Sequence, residues 1–360
     1  MPDKKVAMTF DWPLLTAVLL LNAIGLLNLA SAAPTPAFWH RQLFSFVISL
    51  GIMMLVASVD YRIFLRFGYV IYGLTLLLLI ITVLTGTYVS GSRSWLRIGA
   101  FSMQPSEFVK IGAILAMAKY FHEQRLGGPH GLRELLTPAM IGLCPAGLIM
   151  LQPDLGTAAM LMFIVTVMLI FVGVRRRVLI AGVAMALVLA PLSWKFMAPH
   201  QKSRIYAFIN PEADPSGIGY NVIQSMVTIG SGRLFGKGYK LGTQTALRYL
   251  PERHTDFVFS VLGEEWGFIA CIFVMAIFLF IMLWGLRIAS GAKDRFGAIA
   301  ALGVVAMIFW HTAVNVAMTL GLFPVVGIPL PFLSYGGSFL LSVMAGIGLL
   351  MSIEERRFMF

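Results

Sequence analysis

Residues 257–286 read FVFSVLGEEWGFIACIFVMAIFLFIMLWGL, and this run carries charge only at Glu264 and Glu265. A helix crosses the hydrocarbon core of a bilayer with about 20 predominantly apolar residues. The stretch Phe257–Leu286 is long enough and apolar enough to do so. It therefore predicts a membrane-spanning helix.

Nine further apolar stretches of membrane length occur along the chain. They lie near Pro13–Ala33, Gln42–Val59, Phe67–Thr87, Pro105–Phe121, Leu135–Leu151, Gly156–Val174, Val178–Met197, Phe296–Leu322 and Gly337–Ile353. We therefore predict an all-α polytopic membrane protein of about ten transmembrane helices, forming one domain over residues 1–360. The first stretch is too long for a signal peptide, so we expect it to be retained as a span.

The composition is that of a membrane protein rather than a soluble one. Hydrophobic residues make up 59% of the 360 residues, whereas charged residues make up 12%, about half the share of a typical soluble domain. The net charge of +11 lies between apolar runs, where it sets topology and meets anionic headgroups, so we expect no nucleic-acid partner. Cys144 and Cys271 lie inside apolar runs and indicate neither a disulfide nor a metal site.

Lysine and arginine residues predict the orientation of the chain. With the N-terminus in the cytoplasm, the inside segments hold most of them, including Arg175-Arg176-Arg177. The short outside segments hold only Arg41, Arg93 and Arg97. This asymmetry follows the positive-inside rule, and ten spans put both termini in the cytoplasm. Residues 198–255 then form one long extracytoplasmic loop between spans 7 and 8.

The long loop carries apolar residues at helical spacing, namely Ile218, Val222, Met226 and Ile229. This spacing predicts a short amphipathic helix at the membrane surface. Because apolar side chains need a surface against which to be buried, we expect the loop to pack over an outward-facing cavity beside Asp256.

Asp256 follows Glu252-Arg253-His254-Thr255 and precedes the long apolar run, so it lies where an aqueous face meets the bilayer. A carboxylate in such a place can have a raised pKa and serve as a general base. A structural role is the alternative, because Thr255 or Asp256 could cap the helix that follows.

Two further positions carry ionisable groups near predicted spans, where such groups are costly. Glu107 and Lys110 are three residues apart after Gln104-Pro105, so they can pair on one face of a helix, for structure or for function. Asp154 could cap the next helix, or it could line a polar cavity that faces the same compartment as Asp256.

Residues 324–337 read PVVGIPLPFLSYGG, which is apolar yet rich in proline and glycine. Such a segment cannot form a regular helix, so its backbone must be buried in protein or line a cavity. His311 and Asn315, four residues apart in the preceding span, are expected to make interhelical hydrogen bonds. The stretch GSGRLFGKG at 230–238 is similar to a phosphate loop, but Ser231 and Gly238 break the required spacing, so we reject a nucleotide site.

Together these motifs resemble the SEDS family (shape, elongation, division and sporulation). The matching segments run in family order: Ser92–Leu96, Gln104–Glu107 with Lys110, Gln152–Thr157, Tyr249–Glu252, His254–Phe257, Pro329–Pro331 and Ser334–Gly337. Gly242–Gln244 and Gly321–Pro331 are similar to the rod-shape branch of the family rather than to its division branch. Ser94 and Trp266 depart from the usual pattern, but neither replaces the aspartate.

The resemblance implies a peptidoglycan glycosyltransferase that polymerises lipid II on the outer face of the bacterial cytoplasmic membrane during cell elongation. It makes Asp256 the expected catalytic base of an inverting transfer. The residues expected to bind substrate or line the cavity are Glu107, Lys110, Asp154, Arg93, Trp95, Arg204, Arg248, Arg253, His254 and Ser334. The resemblance implies no definite cofactor. A divalent cation (Mg²⁺ or Mn²⁺) that assists the transfer is the alternative to a purely acid–base mechanism.

The partners that the resemblance implies are lipid II, the glycan linked to undecaprenyl pyrophosphate, a class B penicillin-binding protein and other membrane proteins of the elongation complex. Other functions stay open from the residues alone. Polar groups within spans also suit a lipid II flippase or another transporter. A scaffold that activates a partner and a division-type paralogue are the remaining alternatives. Polymerisation of labelled lipid II by the purified protein separates the enzyme from the other classes.

Overall fold

The computed structural model describes residues 11–33, 35–89, 92–98, 101–124, 130–195, 197, 199–214, 217–247 and 249–357. Its helices are α1 (Trp12–Ala32), α2 (Pro36–Ser58), α3 (Tyr61–Thr85), α4 (Pro105–Glu123), α5 (Leu132–Met150), α6 (Leu155–Val172), α7 (Arg176–Ser193), α8 (Pro199–Ile209), α9 (Ile218–Ser231), α10 (Thr243–Ala246), α11 (Val258–Gly291), α12 (Arg295–Thr319) and α13 (Gly337–Glu355). Three short strands, β1 (Thr87–Val89), β2 (Ser92–Ile98) and β3 (Phe101–Met103), and a 3₁₀ turn (Pro211–Ala213) complete the described elements.

Each of the ten predicted spans coincides with a helix. Eight helices in the described part of the chain are long and apolar enough to cross a membrane, namely α1, α2, α3, α5, α6, α11, α12 and α13. The prediction of an all-α polytopic membrane protein is therefore confirmed. The other two predicted spans are the helices α4, which carries Glu107, Lys110, Lys119 and Glu123, and α7. A total of ten spans stays a prediction.

Helices α12 and α13 form the centre of the bundle. In each of these two helices, 78% of the residues in an apolar 18-residue stretch are buried inside the protein, against 17% in α3. Helix α12 packs against α4, α6 and α11, whereas α13 packs mainly against α2. Polar groups that α12 carries are thus placed deep among apolar side chains, where they need protein partners.

The three strands form a small antiparallel sheet in the order β1-β2-β3, which the sequence analysis did not predict. Thr87 pairs with Trp95, and Arg97 pairs with Ser102. The sheet is tied to the turn before α6 by a hydrogen bond from the Arg93 amide to the Gln152 carbonyl, at 3.3 Å. It brings the residues around Trp95 to the same end of the bundle as Asp154.

The predicted amphipathic segment forms α9, and its apolar side packs onto protein. Val222 is buried in a small core with Leu250, Phe257 and Val325. Helix α9 also packs against α11. The long connection between α7 and α11 is therefore largely helical, and it rests on the turn that leads into α11.

Helix α11 is interrupted at Gly267, whose φ of 77° and ψ of −174° are not helical. A Cβ at this position would lie 2.2 Å from the Gly236 nitrogen, so only glycine allows this approach. The backbone groups freed by the break bind the 232–238 loop: the amide of Phe268 donates to the Arg233 carbonyl at 2.9 Å, and the amide of Lys237 donates to the Glu264 carbonyl at 3.0 Å. The break thereby satisfies its own hydrogen bonds while fixing the outer loop.

Candidate active site

Asp256 lies in a tight turn just before α11. Its amide donates to the Glu252 carbonyl at 3.0 Å, and the Thr255 amide donates to the same oxygen at 3.2 Å. The partly exposed side chain of Asp256 faces a cavity of about 530 Å³. The carboxylate does not cap α11, because the N-cap residue of that helix is Phe257 and no side-chain cap hydrogen bond is made there.

The cavity is walled by residues from six parts of the chain. Its lining residues are Ser92, Ser94, Trp95, Gln104, Pro153, Asp154, Leu155, Gly156, Ala159, Met160, Gln201, Arg204, Ile205, Glu252, Thr255, Asp256, Phe323, Pro324, Val326 and Gly327. Helix α8 thus contributes to the wall, so part of the long loop does pack beside Asp256. Four segments singled out in the sequence contribute to this lining. They are the segments that contain Asp256, Asp154 and Gly327, and the segment before α4, which contributes Gln104.

The Pro- and Gly-rich segment 324–337 is hydrogen-bonded to the Asp256 turn. The amide of Tyr335 donates to the His254 carbonyl at 2.9 Å. The Ser334 hydroxyl donates to the Thr255 carbonyl at 2.6 Å and accepts from the Leu330 amide at 2.7 Å. Ser334 therefore holds two loops together from below the cavity instead of lining it.

Asn315, on α12, clamps the same two segments. Its amide nitrogen donates to the carbonyl oxygens of Asp256, at 2.9 Å, and Ile328, at 2.6 Å. Asn315 is fully buried, so both hydrogen bonds are shielded from water. The sequence predicted interhelical hydrogen bonds for this residue. Its donors instead bind the loop carbonyls of Asp256 and Ile328, and they thereby fix the backbone of the candidate base.

Gly327 is the closest neighbour of the Asp256 carboxylate in the clamped segment. Its φ is +74°, and a Cβ built there would lie 3.4 Å from Asp256 Oδ2. A side chain at 327 would be strained by that φ, and its Cβ would be in van der Waals contact with the carboxylate. Glycine therefore keeps the space in front of Asp256 open.

The pKa of Asp256 is raised from 3.8 to about 6. Burial is the main cause, and the nearby Glu252 carboxylate raises it further. The Arg204 guanidinium and a hydrogen bond with Thr255 act in the opposite direction. A carboxylate with a pKa near 6 is ionised at neutral pH and is a better proton acceptor than an ordinary aspartate.

His254 lies in the turn that precedes Asp256, and it does not line the cavity. Its ring packs edge-on against Phe38, with centroids 4.9 Å apart, and lies 5.9 Å from the Tyr335 ring. Burial lowers the pKa of the His254 imidazole. Its place among aromatic rings suits a packing role in the turn.

The three candidate arginines of the loop have different positions. Arg204 lines the cavity and donates from Nη1 to the Val326 carbonyl at 3.1 Å. Arg253 is buried away from it, where its guanidinium donates to the carbonyls of Ala32 and Thr245, each at 2.7 Å. Arg248 lies outside the described residues. Of the two described, Arg204 is the one available to an anion in the cavity.

Asp154 combines both roles that its sequence position allowed. It caps α6, with Oδ1 accepting from the Thr157 amide at 3.0 Å and Oδ2 from the Thr157 hydroxyl at 2.9 Å. It also lines the cavity and accepts from Gln104 Nε2 at 3.3 Å. Trp95 reaches the same wall from β2, whereas the exposed side chain of Arg93 is not part of the lining.

Glu107 and Lys110 form the predicted pair, with Lys110 Nζ 2.7 Å from Glu107 Oε2. Both are buried, and Lys110 Nζ also lies 2.9 Å from His311 Nε2 on α12. The pair therefore joins α4 to the centre of the bundle. It lies behind the cavity wall, because Gln104 rather than either charged residue faces the space.

The described residues do not fit a resident magnesium or manganese site. No group of three or more His, Cys, Asp or Glu side chains in that part of the chain is placed to hold a metal ion. Of the carboxylates that line the cavity, those of Glu252 and Asp256 share one turn, and that of Asp154 comes from the start of α6.

Comparison with known proteins gives one family. The FTSW_RODA_SPOVE model, described as cell cycle protein, matches residues 5–358. Peptidoglycan glycosyltransferase MrdB of Escherichia coli (strain K12) is 37% identical over 321 residues, which cover 88% of this chain and 86% of that protein. Peptidoglycan glycosyltransferase RodA of Treponema pallidum (strain Nichols) is 34% identical over 426 aligned positions, covering 97% and 98%.

A solved structure agrees over almost the whole chain. It belongs to a peptidoglycan synthase complex studied for how polymerization and crosslinking are coordinated. Its similar chain has a TM-score of 0.86 and 31% sequence identity, and the match covers 98% of this chain and 99% of that one. The similarity thus extends from the helical bundle to the loops that build the cavity.

Proposed function

The chain belongs to the FTSW_RODA_SPOVE family of cell cycle proteins, and on that premise we propose that Asp256 is the general base with which it polymerises lipid II. The protein is a peptidoglycan glycosyltransferase of the bacterial inner membrane, which it spans several times, and it serves rod-shape elongation. The observation that carries the assignment of the base is a carboxylate that faces a cavity of about 530 Å³ with polar walls, where burial raises its pKa.

The proposed reaction is a displacement at one sugar carbon. The Asp256 carboxylate accepts the proton of the acceptor sugar's 4-hydroxyl group while that oxygen attacks the anomeric carbon of the donor. A new carbon–oxygen bond forms, and the bond from the anomeric carbon to the pyrophosphate oxygen breaks. Undecaprenyl pyrophosphate leaves with the electron pair, and the configuration at the anomeric carbon inverts. General-base catalysis of this kind contributes roughly 10²–10⁴-fold.

The geometry around Asp256 supports this role in two ways. Asn315 and Ser334 fix the backbone on each side of the carboxylate, so its oxygens are held in place before substrate arrives. Gly327 leaves the approach to Oδ2 free. A nucleophile's hydroxyl group can therefore reach the base without displacing protein.

Arg204 is the residue we assign to the leaving pyrophosphate. The breaking bond places negative charge on the phosphate oxygens, and a guanidinium can meet two of them at once. Arg204 lines the cavity near Asp256, and its positive charge partly offsets the rise in the pKa of that carboxylate. Gln104, Asp154 and Trp95 provide polar and aromatic wall for the sugars.

The donor set does not fit a resident divalent cation, so the proposed mechanism takes no step through one. Mg²⁺ or Mn²⁺ usually binds through one or two carboxylates together with substrate phosphates. Such a cation would therefore be brought with the pyrophosphate rather than held by this chain alone.

A penicillin-binding protein is the partner that the comparison supports, since the similar solved chain works within a peptidoglycan synthase complex. We propose that it is of class B and that it crosslinks the glycan this chain makes. Other membrane proteins of the elongation complex would join through the same assembly. The names of the relatives favour polymerisation over the flippase or transporter alternative.

The test uses the purified full chain and fluorescent lipid II in detergent, with and without a class B penicillin-binding protein. We expect glycan strands on a gel, with the anomeric linkage inverted by NMR relative to lipid II. Transfer of lipid II between vesicle leaflets without any strand formation would overturn the proposal in favour of transport. Strands with retained configuration would overturn the single-displacement mechanism.

A further inference from the structure

A second cavity, of about 520 Å³, opens between α9, α11 and α12. Its lining residues are Ile229, Gly230, Arg233, Leu234, Phe259, Gly263, Phe268, Cys271, Ile272, Met275, Val316 and Leu320. All of these except Arg233 are apolar residues or glycines. Phe268 and Ile272 on its rim are more than half exposed. We call this space the α9–α11 groove, and its apolar rim faces the bilayer.

The groove is built by the break in α11 rather than left by loose packing. At Gly267 the helix turns aside, and the amides of Phe268 and Ile269 donate to the carbonyls of Arg233 and Leu234 at 2.9 and 3.2 Å. These bonds fix the loop that forms one wall to the helix that forms the other. Gly230, on the last turn of α9, has nothing within 4 Å of a Cβ built on it, so it borders open space.

Arg233 is the single cation of the groove and stands at its loop end. Its backbone φ of 52° is held by a hydrogen bond from its amide to the Gly230 carbonyl at 3.3 Å. Its side chain is exposed and makes no ion pair with a described residue. In the predicted topology this end lies at the outer surface of the membrane. The groove therefore offers an apolar slot in the outer leaflet with a positive charge at the headgroup level.

The groove and the Asp256 cavity flank the same two chain segments. On one segment, Asp256 lines the cavity and Phe259, three residues later, lines the groove. On the other, Leu320 lines the groove and Phe323 lines the cavity. The Phe259 and Leu320 end of the groove therefore lies beside the Asp256 turn, and Arg233 stands farther along α11, where its carbonyl accepts from the Phe268 amide.

We propose that the α9–α11 groove binds the hydrocarbon chain of a polyprenyl pyrophosphate carrier, with Arg233 pairing with its pyrophosphate. This inference rests on the proposed function, in which both reactants carry such a chain and one carrier is released in every cycle. The Asp256 cavity has polar and charged walls that suit sugars and pyrophosphate but not a long hydrocarbon chain. An anionic headgroup matches Arg233, and an apolar chain matches the rest of the groove.

The experiment uses the purified full chain in nanodiscs and an undecaprenyl pyrophosphate that carries a photoreactive diazirine near the headgroup end of its chain. We expect crosslinks at Phe268, Cys271 and Ile272, the lining residues next to Arg233, competed by unlabelled undecaprenyl pyrophosphate and not by an equal amount of phosphatidylglycerol. Crosslinks elsewhere, or equal competition by phosphatidylglycerol, would overturn the proposal, the latter because the groove would then be a general site for anionic lipids.

Two kinds of variant sharpen the test. Gly230→Leu fills the groove from α9 without meeting protein atoms, and Gly73→Leu is the matched control, because Gly73 on α3 also has nothing within 4 Å. Arg233→Gln removes the charge, and Arg233→Lys keeps it. We expect binding about tenfold weaker or more for Gly230→Leu and Arg233→Gln, near wild type for Gly73→Leu, and largely restored for Arg233→Lys.

Wild-type labelling in both Gly230→Leu and Arg233→Gln would overturn the groove assignment. Polymerisation is measured on the same preparations to separate this proposal from the proposed function. If Gly230→Leu is labelled normally and glycan synthesis continues at full rate, the groove assignment is wrong and the proposed function stands. Groove labelling in a chain that makes no glycan removes the polymerase assignment and leaves the binding site.

Discussion

Glu264 and Asp256 are carboxylates only eight residues apart, yet the protein surrounds them in opposite ways. Glu264 is completely buried and accepts from Lys237 Nζ and the Gln244 amide at 2.8 Å, and from the amide and hydroxyl groups of Thr245 at 3.0 and 2.8 Å. Asp256 faces a cavity, receives a hydrogen bond from Thr255, and lies near the like charge of Glu252.

The difference shows how one chain segment supplies both structure and chemistry. An ionised carboxylate has about four lone-pair sites, and fixed donors saturate those of Glu264. Its negative charge is thereby used to fasten the outer loop to α11. The lone pairs of Asp256 are left for a substrate proton, at the cost of a raised pKa. In the proposed mechanism, the carboxylate with few fixed donors, Asp256, is the one that accepts the proton.

Removing the proposed reagent gives the largest expected effect. Asp256→Asn keeps the shape of the side chain and the backbone bonds to Asn315 while removing the base. We expect glycan synthesis to fall by roughly 10²–10⁴-fold, with thermal unfolding in detergent within about 0.5 kcal/mol of wild type. Strand formation on a gel and a melting curve measure the two quantities. Near-normal synthesis would contradict the general-base role, and loss of folded protein would indicate a structural one.

Removing the Glu264 carboxylate is expected to lower stability rather than to remove a reagent. Glu264→Gln weakens the bonds to Lys237 and Thr245, so we expect the free energy of unfolding to drop by about 1.5–3 kcal/mol, and proteolysis within 237–245 to become faster. Glu123→Gln is the control, because the pair of Glu123 with Lys119 lies at the surface with 3.8 Å between charges. If Glu264→Gln left stability and proteolysis unchanged but abolished synthesis, the contrast between the two carboxylates would fail.

The clamp on the catalytic turn predicts an intermediate loss. Asn315→Ala leaves the carbonyls of Asp256 and Ile328 without their donors, so the turn is less well held, and we expect kcat to fall by about tenfold with a smaller change in KM. Asn22→Ala is the matched control, because buried Asn22 donates within its own helix, to the Val18 carbonyl at 2.8 Å. Equal losses of activity in the two variants would show general destabilisation instead of positioning.

The smallest effects concern the pH dependence of the reaction. With a pKa of about 6, Asp256 is protonated and inactive below that pH, so synthesis should rise as the pH increases through 6. Glu252→Gln removes a charge that raises this pKa, so the rising limb should move to lower pH. Arg204→Gln removes a charge that lowers it, so the limb should move to higher pH. Rates at saturating lipid II between pH 4.5 and 8 provide the measurement, and shifts in the same direction would contradict the electrostatic account.

The helices and several site residues could be predicted because their signals are local. Apolar runs located the spans, the three-residue spacing of Glu107 and Lys110 predicted their ion pair, and helical spacing predicted α9. The position of Asp256 at the start of an apolar run made it a candidate base with helix capping as the alternative, and the family resemblance chose between the two. Each of these inferences depends on residues that are neighbours in the sequence.

Features that depend on distant contacts were beyond the sequence. The bond from Asn315 to the Asp256 carbonyl joins residues 59 apart, and its donor gave no sign of its acceptor. Arg253 resembled a phosphate ligand by charge and location, yet the carbonyls of Ala32 and Thr245 take its guanidinium. The break at Gly267 lies inside the predicted span Phe257–Leu286, and the groups that satisfy it come from the distant 232–238 loop, so the local sequence did not predict it.

The contact of Lys110 with His311 also sets an order of events during synthesis. Glu107 is made with Lys110, but His311 follows 201 residues later. A ribosome adding about 5–20 residues each second needs roughly 10–40 s to reach it. During that interval Lys110 on α4 has only Glu107 as a partner, because α12, which carries His311, has not yet been made. The contacts at the centre of the bundle therefore form late in synthesis, after α12 has been made.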